Sequence, residues 1–178
     1  GGNATTVVDA YNKSLTRSIP TGLSKSRSNL AAASVGNYAL FGGGQPNSGT
    51  HSDVVDAYNT SLTRSIPTGL SGTSRDLAAT SIGNYALFGG GYDGSASARV
   101  TTYNTSLTRS TATVLSQARR FLAATSVGNY ALFGGGVPYN GYSAVVDAYD
   151  TSLTRSTPTP LSTARRYSAA TSVGNYAL

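Results

Sequence analysis

The phrase Gly-Asn-Tyr-Ala-Leu-Phe-Gly-Gly-Gly occupies residues 36–44, 83–91 and 128–136 of a 178-residue chain. It opens a fourth time at Gly174 and runs to Leu178, and Gly1-Gly2 read as the tail of the same phrase. The two ends are therefore expected to meet inside one unit of the repeat. Tyr11, Tyr58, Tyr103 and Tyr149 mark one place in successive units, 45 to 47 residues apart. A fixed period of that length points to a propeller or a solenoid, whose units are each too small to bury an apolar face alone.

One unit can be read from the last full copy. Residues 119–127 are predicted as a first strand, and Gly128-Asn129 as a two-residue hairpin turn, where positive φ is needed. Residues 130–133 (Tyr-Ala-Leu-Phe) are a second strand, apolar on both faces, as suits a strand held between neighbouring sheets. Gly134-Gly135-Gly136 ends it and a variable loop follows. Residues 145–149 are predicted as a third strand, Asp150-Thr151-Ser152 as a turn and residues 153–157 as a short fourth strand, before Pro158 and Pro160 break the pairing. No segment carries a helical apolar stripe of any length. Four short antiparallel strands repeated about an axis are how a β-propeller protects its sheet edges, so one all-β domain over residues 1–178 is expected.

The matching residues resemble the Kelch repeat. They are Gly42-Gly43, Gly89-Gly90 and Gly134-Gly135 after the apolar strand, Tyr11-Asn12, Tyr58-Asn59, Tyr103-Asn104 and Tyr149-Asp150 later, and Arg27, Arg119 and Arg165 before the next unit. The resemblance implies a Kelch-like β-propeller with four repeats of four antiparallel strands per chain. It departs in one respect: where Kelch repeats place a Trp on the outer strand, this chain has Ser18, Ser65, Ser110 and Ser156, and it has no Trp at all. Fewer blades leave wider gaps at the rim, which bulky side chains must fill. The small rim residues, with the small inner run Leu30-Ala31-Ala32-Ala33-Ser34, therefore favour a narrow wedge and many blades. The expectation is a homodimer in which each chain supplies half of an eight-bladed ring. The alternative is a four-bladed ring closed within one chain.

Composition bounds the function. Charged residues are 11% and hydrophobic residues 39% of the chain, with no Cys and a net charge of +6. The missing Cys removes thiolate chemistry and Cys-based metal sites. The positive charge is spread by the repeat, as at Arg17, Arg64, Arg109 and Arg155, with no basic run and no nucleic-acid motif, so no nucleic-acid partner is expected. No apolar run is long enough for membrane insertion as a helix. The Ser/Thr/Asn/Gly-rich composition leans towards an exported surface protein. The Gly-Gly-Gly runs lack the Lys-Ser/Thr of a phosphate loop.

Departures from the repeat are where function is expected. These are the loops at residues 3–6, 45–53, 92–98 and 137–144, which share a face with the connectors carrying the Arg. Candidate binding residues are Arg27, Arg75, Arg119 and Arg165 with Tyr92, Tyr139 and Tyr142. Arg forks bind carboxylate or phosphate, and Tyr stacks on sugars or peptide groups. Against that reading, an Arg that recurs with the repeat is expected to donate to carbonyls and hold the blades in register. Arg75 falls one place later than Arg27 and Arg119.

Asp9, Asp56 and Asp147 recur two residues before the Tyr, with Thr101 in the remaining copy, and the chain has no Glu, so no catalytic carboxylate pair is indicated. His51 is the single His, and no metal or cofactor site is expected. Asn12, Asn59 and Asn104 fit glycosylation sequons, as does Asn3, but Asp150 takes the fourth place, and a side-chain-to-backbone turn explains all four copies. The expected function is thus non-catalytic recognition of a protein or glycan on the loop face. The alternatives are an axial enzyme site of the Kelch-type propeller class, or a repeat with no evolved ligand.

Overall fold

The computed structural model describes residues 4–47 and 49–178. An outer two-stranded sheet opens the chain, β1 (Ala10–Tyr11) with β2 (Arg17–Ser18). The first four-stranded sheet follows as β3 (Ala31–Val35), β4 (Tyr38–Gly42), β5 (Val55–Asn59) and β6 (Arg64–Ser65). The second is β7 (Ala78–Ile82), β8 (Tyr85–Gly89), β9 (Val100–Asn104) and β10 (Arg109–Thr111). The third is β11 (Ala123–Val127), β12 (Tyr130–Gly134), β13 (Val146–Tyr149) and β14 (Arg155–Ser156). An inner two-stranded sheet, β15 (Ser172–Val173) with β16 (Tyr176–Ala177), completes the order. Every pairing is antiparallel between sequence neighbours, and no described residue is helical.

Local chemistry sets the strand limits. Gly36, Gly83, Gly128 and Gly174 alone take positive φ in the four hairpin turns (51°, 52°, 54° and 53°), and the Asn beside each does not. Positive φ at the first position only is the pattern of a type II′ turn rather than I′. The first strand begins later than residue 119, at Ala123, because Phe121 sits in the left-handed region at φ 56°. The fourth strand shrinks to Arg155–Ser156 because Leu153 is also left-handed, at φ 61°. Such a conformation costs a residue with a Cβ about 1–2 kcal/mol. Here Asp150 offsets it, its Oδ1 accepting from the N–H groups of Ser152 and Thr154 at 2.9 Å each. Asn12, Asn59 and Asn104 make the same turn. Asn3 lies outside the described residues.

The sheets stack face to face, β3 on β7 and β7 on β11, with β15 and β16 against β11. Between the first and second sheets Leu40, Val55 and Leu70 pack with Phe88 and Tyr103. Between the second and third, Leu87, Val100 and Leu115 pack with Phe133 and Tyr149. Each Phe meets its Tyr edge to face at about 6 Å between ring centroids (6.0 and 5.9 Å). A backbone thread ties the inner ends: Asp76 N–H donates to Asn29 O at 3.0 Å, Phe121 N–H to Asp76 O at 2.9 Å, and Tyr167 N–H to Phe121 O at 3.1 Å. The stack is not closed. The two half-sheets, β1–β2 and β15–β16, are separate two-stranded sheets that do not pair with each other.

This stacking predicts unequal glycines. A Cβ on Gly89 would lie 2.7 Å from the Phe133 ring, whereas on Gly134 the nearest atom is Val146 Cγ2 at 3.8 Å. Gly89→Ala is expected to destabilise by about 1–3 kcal/mol through overpacking, and Gly134→Ala by less than about 0.5 kcal/mol. Urea midpoints of the two variants check this, and equal midpoints would contradict the packing.

Candidate functional site

The recurring Arg splits into two structural classes, because consecutive residues of an extended segment face opposite ways. The first class points into the sheet. Arg27 is 3% and Arg119 0% exposed. Arg119 Nη1 donates to Gly135 O at 2.8 Å and Val145 O at 2.6 Å, and its Nη2 pairs with Asp147 Oδ2. Arg27 repeats the arrangement with Gly43 O, Val54 O and Asp56. The second carboxylate oxygens accept the Ser24 and Ser116 backbone N–H groups at 3.0 and 2.9 Å. Burial lowers both guanidinium pKa values, and the neighbouring carboxylates oppose it.

The second sheet carries a matched replacement. Ser74 takes the Arg place and Thr101 the Asp place; Thr101 Oγ1 lies 2.8 Å from Ser71 Oγ, and Ser74 Oγ donates to Gly90 O at 3.2 Å. A neutral pair thus replaces an ion pair, leaving no buried charge alone. Arg165 has the inward place in the last, incomplete unit, but it is exposed. Its Nε donates to Thr163 O at 3.2 Å, and it meets no carboxylate among the described residues.

The second class, Arg75, Arg120 and Arg166, faces outwards and forms a continuous row with aromatic rings. Arg75 lies over Tyr92 at 5.2 Å, and Arg120 over Tyr92 at 4.6 Å and Phe121 at 5.0 Å. Phe121 packs on Tyr167 at 4.3 Å, and Arg166 lies over Tyr167 at 5.1 Å and Tyr142 at 4.9 Å. Backbone pairing of Arg75 with Tyr92 brings the loop to the connector. Among the described residues, the Arg120 and Arg166 guanidiniums have neither an ion-pair partner nor a hydrogen-bond acceptor. Tyr139 stands 94% exposed, outside this row. His51 meets the Tyr92 ring edge to face at 5.5 Å.

Beside the row, an open cavity of about 610 Å³ at the inner ends of the sheets is lined by Asn29, Arg75, Asp76, Phe121 and Tyr167 among others. Asp76 is buried, with Oδ2 lacking a hydrogen bond and 3.7 Å from Arg75 Nε. Burial raises its carboxyl pKa above the ordinary value, while Arg75, Arg120 and His51 pull it back. Among the described residues no three His, Asp or Glu side chains converge as a metal site would require. Of the candidates read from sequence, the structure brings Arg75, Tyr92 and Tyr142 to this row. It places Arg27 and Arg119 inside the sheets, and Arg165 and Tyr139 apart from the row. Sequence reading missed Arg120, Arg166, Phe121 and Tyr167, although the doublets Arg119-Arg120 and Arg165-Arg166, each followed by an aromatic residue, carry the signal.

No protein-family model matches this chain, and no curated protein matches it. Among solved structures its fold is similar to that described as the structure of YjhT, with a TM-score of 0.71 over 86% of this chain at 14% identity. The chain spans about half (52%) of that protein's length. At this identity the likeness is one of fold: repeated four-stranded antiparallel sheets stacked in a propeller-like way.

Two predictions follow from the charges. Asp147→Ala leaves Arg119 buried without its carboxylate and is expected to cost about 3–5 kcal/mol. The double change Arg119→Ser with Asp147→Thr, which copies Ser74 and Thr101, is expected to recover most of that loss in chemical denaturation. Asp76, whose folded pKa is raised, contributes stability that is present below its unfolded pKa and lost as pH rises through the folded one. Asp76→Asn, which copies Asn29 in a left-handed position, should therefore raise Tm near neutral pH by roughly 2–4 °C, the equivalent of about 1 kcal/mol. Near pH 3 it should change Tm little; the same shift at both pH values would rule out the ionised carboxylate as the cause.

Proposed function

We propose that this chain is a non-catalytic recognition module, a Kelch-like propeller whose loop face holds an anionic segment of a protein or glycan. The observation that carries the reading is Arg120, held between the rings of Tyr92 and Phe121 with no acceptor for its guanidinium among the described residues. Stacking occupies the faces of a guanidinium and leaves its N–H edge to bind carboxylate or sulfate. Arg166 repeats the arrangement with Tyr142 and Tyr167, whereas Arg75, over Tyr92, already donates to Gln45 Oε1 at 3.0 Å, so the row suits a ligand with anionic groups at Arg120 and Arg166.

The ring that presents this face has eight blades in this proposal, four from each of two chains. Support comes from the direct packing of the small-residue strands β3, β7 and β11, and from the Ser at the rim place of each unit. A closed arrangement would also protect the edges that the half-sheets leave bare.

The test is a binding titration of a fluorescein-labelled hexaglutamate peptide and of a sulfated oligosaccharide at low salt. Saturable binding of either probe is expected, weakened tenfold or more by Arg120→Ala and further by adding Arg166→Ala, and falling as salt rises. Failure of both probes to bind, or binding that both variants leave intact, would refute the loop-face reading.

A further inference from the structure

We infer that β15–β16 and β1–β2 are the two halves of one blade shared between two copies of this chain, latched by an ion pair between Arg165 and the partner's Asp9. The inference rests on the two-chain ring proposed above and names the contacts that would close it. Each complete sheet consists of an inner hairpin joined to an outer hairpin. β15–β16 is an inner hairpin and β1–β2 an outer one, and the two do not pair with each other. Transferring the register Ala39↔Tyr58 and Leu40↔Ala57 to the shared blade sets Ala177 opposite the partner's Tyr11, and Leu178 opposite the partner's Ala10.

Four observations on both halves agree with this register. First, Arg165 holds the place of Arg27 and Arg119, and Asp9 that of Asp56 and Asp147. Those pairs are fully buried, whereas the Asp9 side chain is 44% exposed and, among the described residues, pairs only with the outer cation Arg17, at 3.5 Å. Asp147 binds its outer cation Arg155 in the same way, at 3.0 Å, while also holding Arg119. Asp9 therefore has the outer half of this arrangement, and Arg165 is the matching inner half.

Second, Leu132, Val146 and Leu161 repeat the positions that Phe and Tyr rings cover in the two complete interfaces, but here they line an open cavity of about 160 Å³. Tyr11 is the equivalent of the covering tyrosines Tyr103 and Tyr149, and it is 66% exposed. Third, Tyr58, Tyr103 and Tyr149 each donate their hydroxyl to a connector carbonyl, those of Thr21, Thr68 and Thr113, at 2.7–2.8 Å. Thr159 occupies the same place for the partner's Tyr11. Fourth, the backbone thread ends with a free Tyr167 C=O at one side and a free Asn29 N–H at the other, among the described residues. Donor and acceptor fit a continuation from one copy to the next. Two copies related by a two-fold axis make both junctions alike, which is isologous closure.

Charge reversal tests this on the full chain. A chain with Asp9→Arg and a second chain with Arg165→Asp each set like charges against one another at both junctions of their own dimer. Mixed together, they set opposite charges at both. Light scattering of the unaltered chain is expected to give twice the 18.1 kDa chain mass, each variant alone 18.1 kDa, and the equimolar mixture the doubled mass again. An unaltered chain at 18.1 kDa would overturn the two-chain ring itself. A doubled mass for the unaltered chain that both variants retain would overturn the latch and leave the ring standing. Variants that lose the doubled mass and fail to recover it on mixing would also count against the latch, since recovery is the outcome that loss of folding cannot imitate.

Discussion

A guanidinium sealed inside each of two sheets is the interaction on which much else in this molecule depends. Arg119 reaches from the connector ahead of β11 to the ends of β12 and β13, where it takes up the Gly135 and Val145 carbonyls and the Asp147 carboxylate. Those carbonyls sit where the loop leaves the sheet: Val145 O also accepts the Gly135 N–H at 3.1 Å, whereas Gly135 O accepts no backbone N–H among the described residues, and a buried carbonyl without a donor is costly. One side chain thus satisfies the loop exit, anchors the connector and neutralises a buried carboxylate. Arg27 does the same for the first sheet.

The second sheet shows that the charge itself is dispensable if both partners change together. With Ser74 and Thr101 in place of the pair, shorter side chains hold the connector by neutral hydrogen bonds, and the loop keeps its path. The energetic asymmetry explains this: a buried ion pair stabilises little beyond a neutral substitute, whereas half of one is strongly unfavourable. Arg165 and Asp9 occupy the two sequence places of such a pair, and both are exposed.

Where Arg119 and Ser74 point inwards, the next residue along, Arg120 or Arg75, faces outwards, and Arg166 follows the exposed Arg165 in the same place. That alternation sets Arg75, Arg120 and Arg166 in a row, with loop tyrosines and connector aromatics between them. Scaffold and candidate recognition surface are therefore adjacent residues of one segment, and the recurrence that marks an Arg as scaffold does not reveal its neighbour.

The period, the strand order, the hairpin glycines and the Asx turns at Asn12, Asn59, Asn104 and Asp150 were legible in the sequence, because each depends on local geometry that one short segment specifies. The left-handed Phe121 was not: the residue does not favour that conformation, and hydrogen bonds with Asp76 and Tyr167 on other units hold it. Nor did the sequence say that Arg119 lies within a sheet and Arg120 upon its surface, or that Ser74 and Thr101 compensate one another. Repeat and alternation are properties of the chain as written. Which of two adjacent side chains loses its water, and which partner it then finds, depends on strands more than twenty residues away, so only the packed structure decides it.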